Sequence, residues 1–344
     1  MPDPVNAPRR RFIGASMLTV AGAELALAGY AKAAQDVTGL GGAPAGVSAG
    51  FGPLRQVKAG PLDIGYADLG PSEGPVVMLL HGWPYDIHSY VDVAPWLASR
   101  GYRVIAPYLR GYGTTRFLSN TTMRSGQQAA TATDIIALMD ALRIPKAIVA
   151  GYDWGARTAD VMAALWPERC TALVSVSGYL IINVSANQQP LPPQAELGWW
   201  YQYYFATERG RLGYDRNRRD FARLIWKLAS PKWDFDDATF ERSAAAMDNP
   251  DHVAVVIHNY RWRLGLAEGD PLFDALERRL QAAPLIAVPT ITIGSDFDGA
   301  NADGEAYAKQ FSGRHAHRVF RDIGHNVPQE APQAFAQAVI DAGA

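Results

Sequence analysis

The stretch Val149–Arg157, VAGYDWGAR, sets a carboxylate at the centre of a Gly-x-Asp-x-Gly pattern. The apolar run KAIVA (146–150) feeds into it, and the apolar helical pattern ARTADVMAALW (156–166) follows it. A strand, a tight turn and a helix, with Gly151 and Gly155 flanking the centre, hold one side chain out over the strand ends beside a helix N-terminus. A serine in that place attacks an acyl carbon and needs a base first. Asp153 is already ionised at pH 7. It can attack a saturated carbon that carries a leaving group and form an alkyl ester. Aspartate is also a favoured helix N-cap, but the two glycines and the strand before them favour the nucleophile.

An ester intermediate has to be hydrolysed, which requires a base for water. His325, in RDIGHNVPQEAP, follows the last strand pattern and is placed to reach the turn. The imidazole needs an orienting carboxylate. TITIGSDFDGAN offers Asp298, with Asp296 as the alternative. The chain order nucleophile, acid, histidine is one that hydrolases use. Attack of water on the ester carbonyl calls for N–H donors to the developing oxyanion. The backbone N–H groups of Trp83, in LLHGWPYD, and of Trp154 are the candidates.

These residues need a scaffold that brings several strand ends together. RQVKA, LDIGYADLG, PVVMLLHG, YRVIAP, AIVA and ALVSVSG read as strands, with helices predicted over about 90–99, 124–142 and 156–166. Alternation of apolar strands and helices implies an α/β fold with a mostly parallel central sheet flanked by helices. The alternation stops after Tyr179 and resumes with LIAVPTITIG, the helix GEAYAKQF, AHRVFRDIG and the helix PQAFAQAVIDA. The expected organisation is a lead-in over 34–50, a core over 51–179, an inserted helical cap over 180–270, and the rest of the core over 271–344.

The N-terminus reads as an export signal over 1–33. Arg9, Arg10 and Arg11 precede Phe12 and Ile13, an apolar run follows, and Ala31-Lys32-Ala33 offers a cleavage site. The start resembles a twin-arginine signal, which implies a periplasmic or secreted protein with no stable membrane insertion after cleavage. The chain has 344 residues, 48% of them hydrophobic, as expected for a large core. A net charge of −2 gives no global field for nucleic acid. The arginines of 209–219 read as a solvated helix face, with Asp215–Arg219 and Arg216–Asp220 spaced as ion pairs. One cysteine, Cys170, excludes an internal disulfide and a Cys/His zinc cluster. No metal and no organic cofactor is implied; His315 and His317 have no acidic or cysteine partner spaced with them.

Taken together, HGWP, LRGYG (109–113), GYDWGAR, WPERCTALVSVSG and GHNVPQEAP resemble the epoxide hydrolase branch of the α/β-hydrolase fold family, from about residue 53 to the end. Tyr108 departs from relatives that carry Asp before the Arg-Gly-x-Gly loop. Haloalkane and haloacetate dehalogenases share most of these core motifs, so the cap has to separate the two. GWWYQYYFATERG (198–210) resembles the cap helix with a proton-donating Tyr, which maps onto Tyr201, with Gln202 beside it; HNYRWR (258–263) maps the second donor onto Tyr260. Helical spacing alone also makes Tyr201, Tyr204 and Phe205 a packed face. The resemblance further implies a pocket lined by His81, Pro84, Trp154 and Gln202, and a small-molecule substrate. The expected activity is hydrolysis of epoxides to vicinal diols. The alternatives are a dehalogenase with Trp154 and Trp199 or Trp200 as halide donors, and a non-catalytic binding protein on the same fold. Oligomeric state is not legible.

Overall fold

The computed structural model describes residues 50–301 and 303–344. The expected export signal and most of the lead-in lie outside the described residues. Among the described residues nine strands form one sheet: β1 (Arg55–Ala59), β2 (Leu62–Leu69), β3 (Val76–Leu80), β4 (Arg103–Pro107), β5 (Arg116–Phe117), β6 (Ala147–Gly151), β7 (Cys170–Val176), β8 (Thr290–Ser295) and β9 (His315–Phe320). The spatial order is β1-β2-β4-β3-β6-β7-β8-β9, with β5 also on β2. β2 pairs antiparallel with β1, β4 and β5; every pair from β4 to β9 is parallel.

The sequence explains the sheet. β3 (VVMLL) and β6 (AIVAG) are continuous apolar runs, and both are buried, as strands covered on two faces must be. Helices α1 (Val93–Ala98) and α13 (Pro332–Gly343) pack together, as do α2 (Gln128–Ala141) and α3 (Trp154–Leu165), and the two pairs cover the sheet. α12 (Val327–Glu330) lies between β9 and α13. The segment GEAYAKQF, expected as a helix, forms only a 3-10 turn over Glu305–Gln310.

Between β7 and β8 the chain is helical: α4 (Val184–Asn187), α5 (Pro193–Gly198), α6 (Trp200–Ala206), α7 (Glu208–Arg216), α8 (Arg218–Ala229), α9 (Asp237–Ala244), α10 (His252–Arg263) and α11 (Asp274–Gln281). The helix break at Asn217 defeats the expected i,i+4 ion pairs. Asp215 approaches Arg218 instead, at 3.9 Å, and Arg219 pairs with Glu241 and Asp248. An i,i+4 spacing brings side chains together only along an unbroken helix. No helix among the described residues is long and apolar enough to cross a membrane.

The strand order turns at β3. β4 lies on one side of it and β6 on the other, and both β3 and β6 end in loops at the same edge. Such a switch point opens a crevice at the carboxyl ends of a parallel sheet. The loop after β3 carries Trp83 and the turn after β6 carries Asp153.

Candidate active site

Asp153 stands between β6 and α3 with φ 52° and ψ −121°. A non-glycine residue at positive φ costs about 1–3 kcal/mol and persists only where its surroundings enforce it. Two glycines do so. A Cβ on Gly82 would come within 2.5 Å of the Asp153 Cβ, and a Cβ on Gly155 would run into the Leu80 carbonyl oxygen. The carboxylate is thereby pressed between the β3 and β6 loops with a side-chain exposure of 17%.

The two carboxylate oxygens have different neighbours. Oδ1 accepts a hydrogen bond from the Trp83 backbone N–H at 2.7 Å, and Oδ2 lies 3.6 Å from His325 Nε2. Burial raises the Asp153 pKa, but His325, Arg157 and the Trp83 N–H together outweigh it, so the group sits below the ordinary aspartate value. It is ionised at neutral pH. Trp154 opens α3, and the first N–H groups of a helix have no acceptor inside the helix.

His325 is held by its backbone. Its N–H donates to Ser230 Oγ at 2.9 Å and toward the Ala229 carbonyl at 3.2 Å, both at the end of α8. The flanking turn is tied by Glu330, which accepts from the N–H groups of Gly324 and Asn326 and from the Ser230 hydroxyl. The imidazole stacks on Tyr85 and meets the edge of Phe297 at 4.5 Å.

Of the two carboxylates after β8, Asp296 is paired at the surface with Lys232 at 2.8 Å. Asp298 turns inward. Its Oδ2 accepts from the Ser295 N–H at 2.6 Å; burial raises its pKa, while the Ser177 hydroxyl, that N–H and His325 pull it down. Asp298 is thus within electrostatic reach of His325. His325 Nδ1 has no hydrogen-bond partner among the described residues.

Tyr201 on α6 and Tyr260 on α10 meet edge to face at 5.5 Å, and both pack on the Trp83 ring, at 5.1 and 5.2 Å. Burial and then, among other charges, Asp153 raise the pKa of each phenol, so both stay protonated at neutral pH. Gln202 is buried beside them on α6. Trp199 lies against Tyr201 and Phe297, and Trp200 against Tyr201. His81 is fully buried and uses both ring nitrogens: Nδ1–H donates to the Gly82 carbonyl and Nε2 accepts from the Leu109 N–H. It ties the β3 loop to the loop after β4. The Pro84 carbonyl accepts from the Trp226 indole N–H at 3.0 Å.

The family follows from this frame and from similarity to known proteins. Residues 75–332 match the model of the α/β hydrolase fold. A crystal structure of a candidate epoxide hydrolase from Klebsiella pneumoniae is 58% identical and covers 87% of this chain and 99% of its own, with a TM-score of 0.84. The chain belongs to the α/β-hydrolase fold family, in its epoxide hydrolase-like branch. Epoxide hydrolase B of Mycobacterium tuberculosis is 34% identical over 158 residues, 42% of this chain and 44% of that protein. The match thus spans less than half the length of that curated relative. The magnesium-chelatase 30 kDa subunit of Rhodobacter capsulatus is 38% identical over 294 residues, 83% of this chain and 92% of that protein. One fold carries many functions. This α/β hydrolase is of the epoxide hydrolase type, and its chemistry has to be argued from its own site.

Several residues of the site carried no sequence expectation. Arg157 stands one helical turn after Asp153 and is only 8% exposed. Its signal was an arginine four residues after the nucleophile, on a helix that is apolar apart from it, Thr158 and Asp160. Tyr214 and His252 were not legible. The Trp83 indole N–H donates to the Tyr214 hydroxyl at 2.9 Å, and that hydroxyl donates to His252 Nε2 at 2.8 Å, because His252 Nδ1–H is committed to the Gly111 carbonyl at 3.0 Å. Burial depresses the His252 pKa to about 3, so the ring is neutral. The chain ties Trp83 to α7 and α10.

Proposed function

We propose that the enzyme opens epoxides to vicinal diols through an alkyl ester on Asp153. The observation that carries this reading is the pair of buried, protonated tyrosines, Tyr201 and Tyr260, packed on the ring of Trp83, whose backbone N–H holds an ionised carboxylate. Epoxide opening creates an alkoxide, which needs a proton or a strong hydrogen bond as it forms. In this mechanism Asp153 Oδ2 attacks the less hindered ring carbon, the C–O bond of the ring breaks, and a tyrosine hydroxyl takes up the alkoxide charge. Oδ1 remains on the Trp83 N–H and becomes the ester carbonyl oxygen. His325, with Asp298 within electrostatic reach of its ring, then removes a proton from water as the water attacks the ester carbon. The oxyanion rests on the N–H groups of Trp83 and Trp154. Collapse breaks the bond between the carbonyl carbon and Oδ2, the imidazolium returns its proton to that oxygen, and the diol leaves.

The bond that breaks gives the test. With enzyme in excess and heavy-oxygen water, the first turnover yields unlabelled diol and one heavy oxygen on Asp153. A heavy oxygen in the first-turnover diol means that water attacks the epoxide itself and refutes the ester. One observation favours a second reading. The Trp154 indole N–H is buried without a partner among the described residues, and halide leaving groups favour such weak donors. Halide release from chloro- and bromoalkanes, with no epoxide opening, selects the dehalogenase.

The Arg-rich start and the Ala-x-Ala site support a further proposal, that the protein is exported and its mature form begins near Ala34. N-terminal sequencing of the protein from its native host is expected to find that start in the periplasm or medium. An intact Met1 on cytoplasmic protein refutes export.

A further inference from the structure

A cavity of about 10 Å³, room for one water molecule, is lined by Gln128, Thr131, Trp154, Arg157 and Asn259, two of them on the helix that follows the nucleophile. Three of these residues carry a buried polar atom with no hydrogen-bond partner among the described residues: Trp154 Nε1, Arg157 Nη1 and Asn259 Oδ1. The residues themselves are 3%, 8% and 3% exposed. Their orientations are fixed by bonds elsewhere. The Arg157 Nε donates to the Leu180 carbonyl at 3.1 Å, and the Asn259 amide nitrogen donates to the Gly126 carbonyl at 2.5 Å, which leaves its oxygen over. Gln128 and Thr131 have spent their hydrogens: the Gln128 amide on the Ile182 carbonyl and Glu277, the Thr131 hydroxyl on the Gln128 carbonyl.

Two N–H donors and one acceptor match what a hydroxyl group offers, two lone pairs and one proton. A carboxylate accepts from both donors but sets an anionic oxygen against Asn259 Oδ1. An ether oxygen has no proton for Asn259, and an alkyl group serves none of the three. We propose that this cavity binds a hydroxyl group of the substrate, so that the preferred substrates are epoxides with an alcohol on a carbon close to the ring. The closeness rests on contacts: Arg157 lies within electrostatic reach of both Asp153 and Tyr260, and the rings of Trp154 and Tyr260 are 5.9 Å apart. A water molecule can make the same three hydrogen bonds with one proton left over. A substrate hydroxyl displaces it and remakes its hydrogen bonds, which is the condition for displacement without loss of affinity.

The inference rests on the epoxide reading, and the experiment separates the two. Three epoxides of one carbon skeleton are compared on the unaltered enzyme: the alcohol, its methyl ether and the deoxy compound, with the corresponding epoxy acid as a fourth. A site built to hydrogen-bond a hydroxyl rejects the analogue without one by up to about 10⁴–10⁵-fold, so a kcat/KM preference for the alcohol of about 10²-fold or more is expected over both ether and deoxy compound. In Asn259→Leu that preference falls toward unity, through loss of the alcohol's advantage. Equal turnover of the first three overturns the proposal and assigns the cavity to water alone. An ether as good as the alcohol removes Asn259 from recognition, and a preference for the acid makes the site anionic; either overturns it. If none of the epoxides opens, the function reading falls, and the inference with it. The substrate comparison decides even where Asn259→Leu does not fold.

Discussion

His325→Gln is expected to stop the enzyme after its first chemical step. Mixed with an epoxide, the variant should gain a mass equal to that of the whole substrate, located on the peptide that holds Asp153, while diol formation falls by about 10²–10⁴-fold, the usual worth of a positioned base. The geometry separates the two half-reactions. Asp153 is ionised through Arg157 and the Trp83 N–H as well as through His325, so the attack on carbon survives the loss of the imidazole. Hydrolysis does not survive it, because among the described residues His325 is the base that stands beside the carboxylate, at 3.6 Å. Glutamine keeps the volume in the slot between Tyr85 and Phe297. Its backbone N–H still reaches Ser230. Burst kinetics and intact-protein mass spectrometry check the result. A variant that turns over at the unaltered rate, or never gains mass, refutes the assignment of His325 as base.

The sheet was legible because its buried strands are short continuous apolar runs such as VVMLL and AIVAG, whose length and β-branched residues, with Gly and Pro around them, mark strands covered on both faces. The turn at Asp153 was legible because glycine at 151 and 155 has a steric cause that a short pattern records. The choice between Asp296 and Asp298 was not. Both follow β8 within three residues, and only the fold of that turn decides which one meets Lys232 at the surface and which one meets Ser295 and Ser177 inside. The chain Trp83–Tyr214–His252–Gly111 was illegible for a different reason. Its members lie 83 to 252 in the sequence and meet only after the helices between β7 and β8 fold over the sheet. Local spacing cannot encode such a contact. Arg157 stood in plain view beside the nucleophile, but its meaning depends on burial, which one helical turn of sequence does not state.

Replacing Tyr201 and Tyr260 together with Phe is expected to leave the fold intact and to slow the first half-reaction by about 10²–10⁴-fold. Only two hydroxyls are lost. The ring contacts with Trp83, at 5.1 and 5.2 Å, remain. Each single variant should lose less than the pair, since the rings adjoin at 5.5 Å and either phenol can reach the same alkoxide. Combined with His325→Gln, the double variant should therefore accumulate the ester about 10²–10⁴-fold more slowly than His325→Gln alone. The pH dependence follows from the direction of the shifts. Burial and Asp153 raise both phenol pKa values above the ordinary 10. The donors stay protonated through the alkaline range in which an unperturbed tyrosine ionises, so the alkylation rate should show no loss between about pH 8 and pH 10 from this source. Alkylation in the double variant at the unaltered rate means that the tyrosines only pack, and that the leaving group needs no proton. A halide is such a group, so that result moves the enzyme to the dehalogenase side of its family.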